Sequence, residues 1–170
     1  MSLHYPHARA IVKGRLDKPV EFGYKAQLVG NEDGVILDHN VEIGNPMDAA
    51  MLEPAVRRIT TRTGRAPRAV TADRGYGEAD GEQTLRQAGV RYVVLPTKGK
   101  PNAARRAVEN RRAFKAMVRW RTGCEGRISC VKRDFGLART RIDGIEGART
   151  WCGHGVFAHN LVKLSVLLTT

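Results

Sequence analysis

The 170-residue chain is 42% hydrophobic but only 6% aromatic, which suits a globular protein with an aliphatic core. Its net charge of +12 points to a polyanionic partner, nucleic acid first, and no amphipathic basic helix suits a membrane surface. MSLHYPHARA lacks the apolar core of a secretory signal, LVKLSVLLTT is too short and interrupted to span a bilayer, and three cysteines without a signal suit a reducing cytosol.

Residues 1–19 carry no strong periodicity and read as a lead-in arm. Residues 20–43 read as a hairpin. Phe22, Tyr24, Ala26 and Leu28 share one face, and so do Val35, Leu37, His39, Val41 and Ile43, on either side of Asn31-Glu32-Asp33-Gly34. A helix follows over about 48–62, with Asp48 as its cap, Leu52, Val56 and Ile59 on its inner face, Pro54 limiting or restarting its first turn, and Gly64 ending it.

A strand over about 68–72 leads into TADRGYG, a short helix through Leu85 and Ala88 stops at Gly89, and RYVVLP is a second buried strand. Strand, helix, strand implies a parallel pair with a crossover. After Pro96 the character changes: residues 98–141 hold 14 Lys or Arg against three Asp or Glu, so they carry +11 of the total charge. Helices are expected over about 103–120 and 124–133. The last third reads as a long helix weakened at Gly153 and Gly155. Without a repeat or a linker, residues 1–170 make one domain.

Four groups of residues carry chemistry. Asp73 stands where a strand hands over to a Gly-rich turn, the usual place for ligand groups in open α/β sheets. It can hold a hard divalent cation, or simply cap the next helix. Glu125 lies four residues after Arg121 and near one helical face with Ser129 and Lys132. It is a metal-binding acid among cations or one half of a solvated ion pair. Arg105, Arg106, Arg111, Arg112, Lys115, Arg119 and Arg121 form a one-sided cationic run, which favours nucleic acid over an ordinary mixed-sign surface. Phe114 and Trp120 within it suit core packing more than base stacking. Cys124, Cys130, Cys152 and His154 lack the paired spacing of a zinc site.

The order TADRGYG, KGKP, WRTGCEGRISCVKRDFG and TRIDGIEGARTWCGHGVFAHNLVK resembles bacterial insertion-sequence transposases of the DDE type. KPVEFGYKAQLV and GNPMDA extend the likeness over nearly the whole chain. The most specific part is Arg121, three residues, Glu125, six residues, Lys132. Val118 stands where that family has an aromatic residue.

The resemblance implies an α/β, RNase H-like mixed sheet flanked by helices. It implies Asp73 as the second acid and Glu125 as the third, both holding Mg2+ or Mn2+. It also implies DNA contacts from Arg121 and Lys132, to which Lys98, Lys100, Arg119, Arg127 and Tyr76 are added here as candidates. The partner would be DNA, both insertion-sequence ends and target, with a homodimer assembled on it, in the bacterial cytoplasm at the nucleoid.

The family's first acid lies on a strand upstream of the segment HYPHARAIVKGR, and the chain begins at that segment. The expectation is therefore a partial catalytic domain without its first strand. Such a domain would bind metal poorly, transfer strands slowly or not at all, and have a sticky sheet edge and marginal stability. Asp17, Asp33 and Asp38 are poor substitutes for the missing acid. The alternatives are a non-catalytic DNA-binding remnant, a small zinc module, and an RNase H-like nuclease with no role in transposition.

Overall fold

The computed structural model describes residues 9–12, 20–77 and 80–169. Residues 1–8 and 13–19 of the expected lead-in arm, Asp17 included, lie outside them. The chain divides into two compact units, one from Met1–Pro46 with Arg127–Thr170 and the other from Met47–Gly126.

In the first unit, β1 (Arg9–Val12), β2 (Val20–Gly30) and β3 (Ile36–Ile43) form an antiparallel sheet in that order. Strand β1 lies within the stretch read as a lead-in arm, where the sequence singles out no strand. It pairs with β2 from Arg9 opposite Gly23 to Val12 opposite Val20, and four residues are too few to show a period. The β2–β3 hairpin forms where alternation places it. Asn31 closes its turn by accepting a hydrogen bond from the Val35 amide at 2.9 Å.

The inner face of β3 is corrected as well. Leu37 is exposed while Ile36 and Asp38 are buried, Asp38 at 1% exposure. The register shifts between Val29 and Gly30, so Gly30 faces Ile36, Val29 faces Asp38, and Leu37 is left over. That extra residue reverses the alternation, and Ile36 and Val41 both reach the core.

Helix α5 (Gly144–Leu168) packs on β3. Ala148, Cys152 and Val156 join Ile36, Val41 and Val131 in the core. Burial pushes the Cys152 thiol up to about 11. Gly155 does not break the helix. A Cβ there would come within 2.8 Å of the Phe135 carbonyl oxygen, so the glycine lets the segment before α5 lie against it. Asn160 clamps α5 to the sheet edge: its amide donates to the Ile36 carbonyl and its oxygen accepts from the Ile36 amide, both at 2.9 Å.

The second unit starts with α1 (Asp48–Thr63). Met47, not the expected Asp48, holds the cap position, and Asp48 lies one residue on in the first turn, where a carboxylate favours the positive helix end. Pro54 sits on the exposed side and the helix runs through it, so it neither limits nor restarts the first turn. The missing amide falls away from buried Leu52, Ala55, Val56 and Ile59.

Strands β4 (Ala69–Thr71) and β5 (Tyr92–Val94) pair in parallel, with α2 (Gly81–Gln87) as the crossover, as the sequence predicts. Leu52, Val56, Leu85, Val90, Val93 and Leu95 form the core.

The expected boundaries in the basic stretch are corrected. Helix α3 (Ala103–Glu109) ends early and α4 (Arg112–Asp134) runs unbroken through Gly123 and Gly126. Buried Phe114 fixes its first turns, and each glycine costs only about 1 kcal/mol against alanine in a helix. Trp120, expected in the core, is 37% exposed. Among the described residues no helix is long and apolar enough to cross a membrane.

Candidate active site

The site is built in the second unit, from the end of β4 upward. The chain leaves β4 at Asp73 and enters a 3-10 turn, Arg74–Tyr76. Asp73 Oδ1 accepts from the Arg74 amide at 2.6 Å, so Asp73 does cap, but it caps this turn and not the crossover helix. Its side chain remains 63% exposed and open to a ligand. Tyr76 turns inward and packs against the core.

Gly77 comes next because nothing larger fits. A Cβ there would overlap the Pro96 carbonyl oxygen at the exit of β5. The Gly77 carbonyl accepts from the Lys98 amide at 3.4 Å. The loop bearing exposed Lys98 and Lys100 is thereby docked beside the Asp73 turn.

Arg105 holds that loop from behind. It reaches Glu82 of α2 at 2.6 Å and Glu109 at 2.9 Å, donates to the Leu95 carbonyl, and lies over the Phe114 ring at 5.6 Å. Glu109 in turn accepts from the Thr97 amide at 2.9 Å. Burial pulls the Glu109 carboxyl up, but the Thr97 amide and the Arg105 guanidinium outweigh it and hold the group below its usual value. The sequence groups Arg105 with the outward cations; in the fold it neutralises two acids instead.

Helix α4 brings up the other half. Arg121 Nη2 stands 3.8 Å from Asp73 Oδ1 and 3.5 Å from Glu125 Oε1. One guanidinium nitrogen therefore joins the two acids that sequence spacing singled out. Glu125 is 65% exposed, like Asp73, whereas Arg121 is only 19% exposed and its Nε is buried with no hydrogen-bond partner among the described residues. The i, i+4 spacing made the Arg121–Glu125 pair legible; the Arg121–Asp73 contact required the fold.

Beside the acids lies a cleft of about 700 Å³. Its walls include Asp73 and Arg74 from the turn and Arg112, Lys115, Arg119 and Arg121 from α4. Arg112, Lys115 and Arg119 recur at helical spacing, and Arg121 joins them in lining the same space. Val118, in the place of the resembling family's aromatic residue, also lines it.

Two expected DNA contacts belong to the first unit. Lys132 is exposed, while Arg127 donates to the Asn31 carbonyl at 2.9 Å and braces the hairpin turn. Cys124, Cys130 and Cys152 are free thiols, and among the described residues no three His, Cys, Asp or Glu side chains come together.

The family model for the transposase DDE domain matches residues 12–161, a span that takes in Asp73, Arg121, Glu125 and Lys132. No curated protein and no solved structure matches the chain. The mixed α/β architecture is consistent with an RNase H-like transposase domain. With the match covering most of its length, the chain belongs to the DDE transposase family, whose members act on DNA.

Proposed function

We propose that the chain carries the metal-holding acids for cleavage and transfer of DNA strands, with Asp73 and Glu125 in that role. One observation carries this reading: Arg121 places a single cationic nitrogen within 3.8 Å of both carboxylates. A position that suits one cation between two acids suits a hard divalent ion. Mg2+ and Mn2+ fit the donors, because Mg2+ takes one or two carboxylates and completes its shell with water and substrate phosphate. When bound, such ions activate a water or a 3′-hydroxyl and stabilise the leaving oxygen.

The chain's own residues would do the placing. Arg112, Lys115 and Arg119 line the cleft and would track a DNA backbone toward Asp73, neutralising phosphates. Lys98 and Lys100, on the docked loop, would approach the same strand. Arg121 would contact DNA near the scissile end, and exposed Lys132 of the first unit would contact DNA as well. The whole chain would work as one catalytic domain, as a homodimer bridging two insertion-sequence ends, at the nucleoid.

Two carboxylates hold an ion weakly, so the reading includes very slow or absent turnover by this chain alone. Supercoiled plasmid tests it. Mg2+ should support little or no nicking, and whatever Mn2+ supports should vanish in Asp73→Asn and in Glu125→Gln. Rapid Mg2+ nicking would contradict the weak site. Mn2+ nicking that survives both changes would contradict the assignment. A second reading, DNA binding without chemistry, is favoured by the cleft cations alone. It predicts no nicking by the wild type with either metal, and duplex affinity unchanged when either acid is removed.

A further inference from the structure

Arg121 is in an unusual position for a residue expected to grip DNA. Its guanidinium faces two carboxylates, at 3.8 Å from Asp73 and 3.5 Å from Glu125, and neither contact is a short paired fork. Its Nε is buried with no hydrogen-bond partner among the described residues, so its donors are not fully used in this arrangement. Its neighbours along the cleft, Arg119 and Lys115, face the space where a backbone phosphate would lie. The residue therefore has a half-satisfied place between the acids and stands at the edge of an anion site.

We propose that Arg121 is a built-in cation that competes with divalent metal for Asp73 and Glu125, and that yielding the acids to metal frees it to bind a DNA phosphate. This rests on the reading of the two acids as metal-holding. Without metal, Arg121 neutralises the pair and keeps the carboxylates from repelling the DNA backbone. With metal, charge at the acids rises while the guanidinium is released toward the cleft. Metal and DNA then favour one another, and the coupling is reciprocal because both act on the same side chain. A cation held close to a divalent ion opposes its binding, so removing that cation tightens metal binding by about tenfold.

The test titrates Mn2+ calorimetrically into the full chain as wild type, Arg121→Gln, Arg121→Lys and Asp73→Asn, each first shown to melt as the wild type does. Arg121→Gln should bind Mn2+ about tenfold more tightly. Arg121→Lys, which keeps the charge but loses the fork, should fall between, and it carries the test if the glutamine variant fails to fold. Asp73→Asn should lose binding. If Asp73→Asn loses binding while neither Arg121 variant tightens it, the competition is wrong and the metal reading stands. If Asp73→Asn binds as the wild type does, or no protein binds Mn2+, both are wrong. A fluorescent duplex gives the reciprocal measurement. Ca2+ should raise wild-type affinity over that in chelator several-fold more than it does for Arg121→Gln, and an equal gain would overturn the release of Arg121 to phosphate.

Discussion

Gly77 lies so close to the Pro96 carbonyl that a single added carbon would overlap its oxygen. The obstacle is backbone and cannot rotate aside, so Gly77→Ala must push the Asp73 turn away from the Lys98 loop. The expected cost is about 1–3 kcal/mol, the usual range for forced overpacking. A thermal melt followed by circular dichroism should show a lower midpoint. An unchanged midpoint would show that the turn and the loop are not held together as described.

Glu109 makes the second unit sensitive to acid. Its carboxyl lies below the ordinary value of 4.5 in the folded chain, so its stabilising effect is present above that value and is lost as pH falls through the folded value. Glu109→Gln should be less stable at neutral pH by about 1.5–3 kcal/mol, the scale of a hydrogen bond to a charged group. Its stability should also change less than that of the wild type as pH falls below 4.5. Urea titrations at several pH values compare the two; parallel curves would contradict this role.

Much of the architecture was legible from pattern. The hairpin showed as period-2 alternation, the β4–β5 pair as two apolar runs around a short helix, and Asp73 as an acid at a strand end. What stayed hidden depended on long-range packing. Leu37 is displaced by a register shift that one strand cannot reveal on its own. Gly123 looked like a helix end, but tertiary packing outweighs its small propensity cost. Arg105 looked like its cationic neighbours, because Glu82 is distant in sequence and nothing local marks their pairing.

The cleft cations should be readable in salt. Each neutralised phosphate contributes about 0.9 to the slope of log affinity against log salt on duplex DNA. Removing Arg112, Lys115 or Arg119 singly should weaken binding and lower that slope by about 1 for each phosphate no longer neutralised. The same change at Arg105 should leave the slope nearly intact in a variant that folds, because its charge is committed to Glu82 and Glu109. Anisotropy titrations over a salt series decide; equal slope changes at all four positions would contradict the division between outward and inward cations.

The central claim is that Asp73 and Glu125 together hold a divalent ion. Paramagnetic resonance of free Mn2+ in solutions of the full chain tests it most directly. Wild type should remove Mn2+ from solution in proportion to its concentration, weakly but saturably, and Asp73→Asn and Glu125→Gln should each abolish the uptake while leaving the thermal melt in place. Equal uptake by the wild type and both variants would contradict the claim.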